Sequence, residues 1–595
     1  MPAPLILLDD ARPEGASPAR LYRAPVETVV ARRPDEVAPA LARLDALRDA
    51  GKELAGYIAY EAGLALEARL QPLAPARTGT AGPLLWFGAF DSYETIPATE
   101  VPAWLASGAG SGAASVGPLD PQLSPGGYAT AFVALQEAVA AGDIYQANLT
   151  FPLAGAWSGD PLALYAAIRP AAGAGYGGIV FDGSHWLLSF SPELFFAQRG
   201  GAAVVKPMKG TRPRGRDAEE DTALAAELAG SVKDRAENLM IVDLLRNDLS
   251  RVAQAGSVRV ENAFAVESYP TVHQMTTTVR ATLQDGRGAL DMVRALFPCG
   301  SITGAPKIRA MELIDRVERD ARGPYCGAIG RIDSTGDAAF NVAIRTLRLT
   351  PGENGKGKAV LGVGSAIVAD SDAMAEWREC LVKGSFVQGM AGGFDLIETM
   401  AFSPETGIAL LDLHLERLKA SAAELGFAFD RHAVRNAIQA LCFEAEAAAK
   451  VRLTVAKSGA YALEIGELPP APPTPALCAV LPLPVDTGDW RLRHKTSDRG
   501  FYEAGLAAAQ GAGAEEALFV RDDGLVTEGC FTSIFVERDG RLLTPPARLG
   551  LLPGILRRSL LDAGRAVEAE LTLKDLEDGF MIGNALRGLL PARLL

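Results

Sequence analysis

Between Lys383 and Gly393 the chain reads Lys-Gly-Ser-Phe-Val-Gln-Gly-Met-Ala-Gly-Gly, and a fresh α/β pattern begins on its far side. So many glycines make continued helix or strand entropically costly. The break therefore limits what one continuous core can contain. At about 150 residues per domain, 595 residues correspond to roughly four compact units or two large α/β domains. A second small-residue stretch, 106–126, reads as a loop or linker. The expected division is 1–118, an N-terminal α/β part; 119–385, a catalytic region; 386–393, a linker; and 394–595, a last domain with two lobes. Proline cannot donate to a ladder, so the run Leu468-Pro-Pro-Ala-Pro-Pro-Thr-Pro475 is expected to connect those lobes.

Composition excludes several classes. A hydrophobic content of 48% and a charged content of 22% describe an ordinary globular chain. The net charge of −14 argues against a nucleic-acid or anionic-membrane partner. It leaves room for a small anionic substrate held by local basic groups. No apolar run approaches the ~18 residues of a membrane span. The N-terminus lacks a basic region before its apolar residues, which is not the pattern of a signal peptide. The six cysteines are scattered, with no Cys-x-x-Cys pair, which disfavours zinc and a disulfide framework. A cytoplasmic location with reduced thiols is expected.

Along the chain, a helix is expected from about Tyr128 to Ala141 and a strand over Ile144–Phe151. Strands alternate through 178–206, and helices are expected over 218–252 and 303–318. Pro207-Met208-Lys209-Gly210-Thr211 places a lysine in a tight turn. Burial there would favour the neutral, nucleophilic amine, although alone such a string reads as a surface turn. Asp234 and Glu237 are three apart, as are Glu376 and Glu379, with Lys383 one turn further. Each pair shares a helix face. Two such faces meeting across a cleft would offer oxygens to a hard divalent cation, whereas either alone reads as a solvated face.

In order, the strings are Gly142-Asp-Ile-Tyr-Gln-Ala-Asn-Leu149, Ser191-Pro-Glu193, Pro207–Thr211, Lys233-Asp-Arg-Ala-Glu-Asn238 and Asp243-Leu-Leu-Arg-Asn-Asp248. Then come Gly300-Ser-Ile-Thr-Gly-Ala-Pro-Lys307, Gly323-Pro-Tyr-Cys-Gly327, Ile344-Arg-Thr346 and Glu376…Glu379…Lys383. Together they resemble the chorismate-utilising enzymes, in particular the aminodeoxychorismate synthase branch, over about 260 residues. The resemblance implies a two-lobed α/β sandwich. It implies Mg2+ held by Glu237 and Glu379, with Glu376 close by, to clamp the ring carboxylate of chorismate. Tyr325 and Arg345 match the groups that bind the enolpyruvyl carboxylate. Lys383, the backbone around Gly364, and Thr211 are further substrate contacts. Glu193 matches the general acid for the departing C4 hydroxyl, which requires a raised pKa. His273 matches a histidine near that hydroxyl.

Two positions separate the branches. Isochorismate-type relatives carry a water-activating lysine where this chain has Gln146. Anthranilate and isochorismate relatives carry alanine where it has Lys209. In the aminodeoxychorismate branch that lysine attacks C2 and expels the C4 hydroxyl, and ammonia then enters at C4 and expels the lysine. One departure is Gly364-Ser365-Ala366-Ile367-Val368, where the family usually has a second glycine. Alanine at Ala366 offers its N–H but disfavours positive φ. Neither a Gly-x-Cys-x-Gly turn nor a distant His-x-Glu is present, so ammonia is expected from a separate glutamine amidotransferase subunit.

The last domain resembles fold-type IV pyridoxal-phosphate enzymes, making the whole an α+β chain of two successive folds. Its strings are Phe394-Asp-Leu-Ile-Glu-Thr-Met400, His414-Leu-Glu-Arg-Leu418, His494-Lys-Thr-Ser-Asp-Arg499, Val526-Thr-Glu-Gly529, Leu552-Pro-Gly-Ile-Leu-Arg557 and Gly583-Asn-Ala-Leu-Arg-Gly588. The resemblance implies pyridoxal 5'-phosphate on Lys495 as Schiff-base and acid–base lysine. Glu528 would sit at the pyridine nitrogen and Arg417 at the phosphate. Backbone N–H groups of Gly554, Ile555 and Leu556 would complete the phosphate site, with Asn584 closing the cup. It also allows a homodimer through this domain. Cofactor contacts do not separate a lyase from a transaminase; the fusion does so by association. The expected whole is an enzyme of 4-aminobenzoate and folate biosynthesis that aminates chorismate and then eliminates pyruvate. The rivals are an anthranilate synthase-like domain fused to a branched-chain or D-amino-acid aminotransferase, and a silent scaffold that recruits the glutaminase.

Overall fold

The computed structural model describes residues 3–77, 82–108, 114–215, 217–269, 272–352, 356–390, 394–443, 445–470 and 472–595, with 388–390 as backbone only. The chain divides into two compact units, Met1–Gly392 and Gly393–Leu595.

The first unit is a layered sandwich. One sheet runs in the order Gly304–Ala305, Gln146–Ser158, Lys356–Ile367, Thr346–Pro351, Trp186–Ser189, Gly177–Phe181, Leu5–Asp9, Ala19–Arg23, Glu94–Ile96. The other runs Met208–Pro213, Val272–Thr282, Ala202–Lys206, Leu194–Arg199, Ala338–Val342, Ala328–Ile332, Glu53–Ile58, Leu85–Phe90, Glu27–Ala31. Gly177–Phe181 and Leu85–Phe90 are buried at every residue, as strands covered on both faces must be. Ile6, Tyr22, Val180 and Leu187 of the first sheet meet Ala55, Tyr57, Trp86 and Ile329 of the second.

Helices cover the outer faces. Pro125–Ala140, Pro161–Ala172, Lys307–Val317 and Ala373–Gly384 pack on the first sheet. Pro34–Asp49, Val232–Ser250 and Ala289–Leu296 pack on the second.

Residues 1–118 supply strands to both sheets, so the expected division at 118 does not mark a separate body. The helical stretch expected over 218–252 is two helices, Ala218–Gly230 and Val232–Ser250. Ser231 between them caps the second through Oγ, which accepts from the Asp234 N–H at 3.2 Å. The start of the expected linker belongs to the first unit. Ser385–Met390 is a 3-10 turn in which Phe386 packs edge-on to Phe190 and Val387 is buried. Residues 391–393 lie outside the described residues.

One buried ion pair joins several of these pieces. Arg322 donates to both carboxylate oxygens of Glu318, at 2.7 and 2.9 Å, to the Ile302 carbonyl at 2.9 Å and to the Asn148 carbonyl at 2.8 Å. Its guanidinium lies 4.4 Å from the centre of the Tyr60 ring. Glu318 also accepts from the Thr150 N–H at 2.8 Å. Helix end, central strand and the 300–302 turn thus share one charge pair.

In the second unit a four-stranded sheet runs Gly407–Ile408, Leu396–Ser403, Ala449–Val455, Tyr461–Gly466. Helices Leu411–Leu425 and Arg431–Phe443 pack on it. An eight-stranded sheet runs Val526–Gly529, Glu516–Val520, Ala476–Pro482, Gly588–Leu594, Phe580–Asn584, Ser533–Arg538, Arg541–Thr544, Ala566–Glu568. The proline-rich stretch separates the two sheets in the sequence and forms no helix or strand among its described residues; Ala471 lies outside them. No helix among the described residues is long and apolar enough to cross a membrane.

Arg322→Met removes the guanidinium that forks onto the buried Glu318 carboxylate. It is expected to destabilise the first unit by about 3–5 kcal/mol, read as a lowered midpoint of its unfolding transition. An unchanged midpoint would show that the pair is dispensable.

Candidate active sites

Glu193 stands in the turn before Leu194–Arg199, fixed by Ser191. The Ser191 hydroxyl donates to the Val342 carbonyl at 2.6 Å and accepts from the Glu193 N–H at 3.2 Å. The carboxyl is buried, and Ser301 Oγ donates to it at 2.6 Å. Burial pushes its pKa up to about 7, against the opposing pull of Ser301 and Lys209. It can therefore carry a proton near neutrality.

Lys209 follows on the edge strand Met208–Pro213. Gly210 after it has φ +82°, and a Cβ there would lie within 3.0 Å of the Asp234 side chain. That glycine lets the turn close on the helix. Burial lowers the Lys209 pKa; Glu237 opposes this, Lys383 adds to it, and Glu193 and Glu379 oppose it. Lys209 thus lies within electrostatic reach of the expected acid and of both acidic helices.

On those helices, burial raises the pKa of Glu237 and of Glu376. Glu376 accepts from Ser371 Oγ at 2.7 Å, and Glu379 pairs with Lys383 at 2.5 Å. Asp234 is held by Arg212 at 3.1 Å. Among the described residues, no three His, Cys, Asp or Glu side chains form a metal cage. The donors still fit Mg2+, which keeps several waters and uses one or two carboxylates plus a ligand oxygen. Glu237 and Glu376 are carboxyls held partly out of water.

The substrate-binding candidates follow strand alternation. Gly362, Gly364 and Ala366 share one face of Lys356–Ile367. A Cβ on Gly362 would sit 2.2 Å from the Tyr325 ring, and one on Gly364 would sit 2.7 Å from Thr150 Cγ2. Lys383 Nζ donates to the Gly364 carbonyl at 3.1 Å. Ala366 lies in the regular ladder opposite Asn148 and is not at positive φ, so this backbone accommodates alanine. Arg345 has φ 48° and Cys326, next to Tyr325, has φ 60°, strained values of the kind held at functional sites. Burial alone lowers the Arg345 pKa, and its guanidinium has no carboxylate partner among the described residues. Thr211 is exposed on the edge strand.

His273 is a correction. Its Nδ1 lies 2.8 Å from Ser268 Oγ and its Nε2 2.9 Å from Asp221 Oδ1. Both ring nitrogens are engaged by protein groups, and the ring holds the helix Ala218–Gly230 to its strand. Neither nitrogen is free for a substrate hydroxyl.

Gln146, singled out for the branch it marks, and Asn148 and Ser301, which were not, form a chain beside Glu193. Gln146, fully buried, donates to Asn148 Oδ1 at 3.1 Å, and Asn148 donates to the Ser301 carbonyl at 3.1 Å. This chain reaches Glu193 through Ser301. The residues lie inside the quoted strings, but nothing in a string says which side chains touch.

In the second unit Lys495 is held by its backbone. Its carbonyl accepts from the Ile397 N–H at 3.0 Å, and Thr496 bridges to Leu396. Burial lowers its pKa to about 7; Glu398 opposes this, while Arg417, Arg499 and Arg452 add to it. Glu398 and His414 were also missed. Glu398 is buried, takes a two-point fork from Arg417 at 2.9 and 2.7 Å, and contacts His414 Nδ1 at 2.7 Å. Its pKa falls well below the usual range through Arg417 and His414, although burial opposes this.

Arg417 also donates to the Pro553 carbonyl at 3.2 Å. Pro553 precedes Gly554, the N-cap of helix Ile555–Asp562. A Cβ on Gly554 would meet Ser533 Oγ at 2.6 Å, so glycine keeps a cradle open before the free N–H groups of the helix. Glu528 is buried, accepts from Tyr502 Oη at 2.5 Å and from the Leu552 N–H at 3.1 Å, and is pushed up to about 8 by burial. Lys495, Arg417, Glu528, Tyr502 and Gly554 line one cavity of about 870 Å³. A buried lysine, a carboxyl and an anion cradle around one cavity fit pyridoxal phosphate. Asn584 lines the same cavity, but its amide holds its own turn. It donates to the Phe531 carbonyl at 3.1 Å and accepts from the Leu586 and Arg587 N–H groups at 3.0 and 2.9 Å.

Over 272 residues the chain is 43% identical to aminodeoxychorismate synthase of Streptomyces griseus, a match covering 46% of this chain and 37% of that protein. Over 256 residues it is 42% identical to aminodeoxychorismate synthase component 1 of Escherichia coli strain K12, covering 43% and 55%. The chain thus spans about half the length of these curated relatives, or less. Anthranilate synthase component I from Streptococcus pneumoniae TIGR4 superposes with a TM-score of 0.51 at 24% identity, covering 65% of this chain and 92% of that one, a likeness of fold. The family model for amino-transferase class IV matches residues 395–595, and that for chorismate binding enzyme matches residues 6–389. The chain belongs to the chorismate binding enzyme family and carries a class IV amino-transferase domain behind it.

Proposed function

We propose that the chain converts chorismate and ammonia to 4-aminobenzoate in two steps, one in each unit. The observation that carries the first step is the opposed pair Lys209 and Glu193. One is a lysine whose burial favours the free amine; the other is a carboxyl whose burial favours the acid. Lys209 attacks C2 of the ring. Glu193, steadied by Ser301, gives its proton to the C4 hydroxyl, which leaves as water. Ammonia enters at C4 and the Lys209 nitrogen departs. Arg345 and Tyr325 take the enolpyruvyl carboxylate, with Lys383 and the floor at Gly364 on the ring side. Glu237 and Glu379, with Glu376 beside them, would hold Mg2+, which would neutralise the ring carboxylate and draw charge from the ring.

In the second unit Arg417 and the N–H groups from Gly554 to Leu556 would hold the cofactor phosphate, and Glu528 would face the pyridine nitrogen. Bound there, pyridoxal phosphate acidifies the C–H beside an amine. Lys495, pushed to about 7, removes the C4 proton and returns one as the enolpyruvyl group leaves as pyruvate. The ring becomes aromatic. The aminodeoxychorismate synthase relatives support the first step, and the class IV domain beside it supports the second by association. Ammonia would come from a separate glutamine amidotransferase subunit.

Lys209→Ala is expected to cut 4-aminobenzoate formation from chorismate and an ammonium salt by about a thousandfold or more, measured by chromatography. Unchanged output would remove Lys209 as nucleophile. On the pH profile of kcat/KM for chorismate, the rate should fall as pH rises through about 7, where Glu193 loses the proton it donates. Glu193→Gln should abolish that alkaline limb and slow the step by about 10²–10⁴; a retained limb would assign it elsewhere. Lys495→Ala should erase the visible absorbance of the lysine-bound cofactor and let aminodeoxychorismate accumulate. Retained absorbance would mean another lysine holds the cofactor.

A further inference from the structure

The residues that anchor the cofactor leave part of the second cavity's wall unexplained. The strand Ala449–Val455 buries Ala449, Val451, Leu453 and Val455 in the core. Its opposite face presents Lys450 and Arg452, and both line the cavity. Thr399, directly across from Arg452 in register, lines it too. Two cations on a sheet face are usually solvated or paired. Here, among the described residues, neither has an ion pair; Lys450 is half-buried and Arg452 is exposed at the cavity wall. Glu464, the cross-strand neighbour of Arg452 on the other side, makes no ion pair with it and does not line the cavity. The Arg452 charge also reaches the Schiff-base lysine and opposes its protonation.

Spacing suggests what these cations bind. Residues two apart on a strand stand about 7 Å from each other, so the two heads can reach separate carboxylates. In an α-amino acid the carboxylate sits on the carbon that bears the amine. In aminodeoxychorismate the amine-bearing C4 has none. One carboxylate is on C1 across the ring, the other on the enolpyruvyl arm at C3. We propose that Lys450 and Arg452 form an anion subsite for carboxylates carried away from the amine, and that the second unit is built for a dicarboxylate amine. This rests on the lyase reading of that unit.

Chorismate is a suitable probe because it carries the same two carboxylates and a hydroxyl in place of the amine. With magnesium and ammonia left out, it should bind without reacting. The absorbance of the lysine-bound cofactor reports occupancy of the second cavity alone. In the full-length, cofactor-loaded chain the wild type should give a saturable response. Lys450→Met and Arg452→Met should each weaken it about tenfold or more, the range of one charge-assisted hydrogen bond. The ligand-free spectrum of Lys450→Met should match the wild type, and the response of both variants to L-alanine should be unaltered. An unresponsive wild type, an unchanged Kd in both variants, or an equal loss for alanine would each overturn the subsite. If the variants behave as expected but the wild type yields no 4-aminobenzoate from aminodeoxychorismate, the subsite stands and the lyase reading falls.

Discussion

Holding a lysine out of water without a full counter-charge is the constraint around which each unit is organised. An ammonium in such a place is discouraged, and the residue becomes an amine that can attack or take a proton. Among the described residues, neither lysine has a dedicated ion-pair partner. Lys209 lies among carboxylates that favour its proton and Lys383 that disfavours it. Lys495 lies near Glu398, but Arg417, already forked onto that carboxylate, cancels much of its pull. In both places burial is the largest cause of the shift.

The surrounding structure maintains that imbalance. In the first unit Arg322 and Glu318 tie together the strand bearing Gln146 and Asn148 and the turn bearing Ser301, and Ser301 steadies Glu193. Arg345 is kept at positive φ, and its guanidinium has no carboxylate partner among the described residues. In the second unit Glu398 fixes Arg417, which then reaches the Pro553 carbonyl before the open cradle at Gly554. The strain and the unpaired charges are local, and the sandwich cores offset their cost.

Much of this was legible because functional strings are short and local. The lysine turn, the acidic helix faces and the Leu552–Arg557 turn each read alone as ordinary surface, and gain meaning only from their order along the chain. What escaped depends on contacts between distant segments. His273 was given as matching a family histidine, yet its ring is held by Ser268 and Asp221, and Asp221 is 52 residues away. Asn584 likewise matches, but its amide closes its own turn. Arg322, Glu318, Glu398 and His414 form buried charge networks, and composition does not distinguish these from surface pairs. Residues 1–118 do not stand apart for a topological reason: strands before and after that position share both sheets of the first unit.

The central claim is that two successive chemistries reside in one chain, and the product tests it. The purified chain would be given chorismate, an ammonium salt, magnesium and pyridoxal phosphate, and the aromatic product identified by chromatography. The account predicts 4-aminobenzoate together with pyruvate. Anthranilate as the product would contradict it, placing the first unit on the other branch and leaving the second without its proposed substrate.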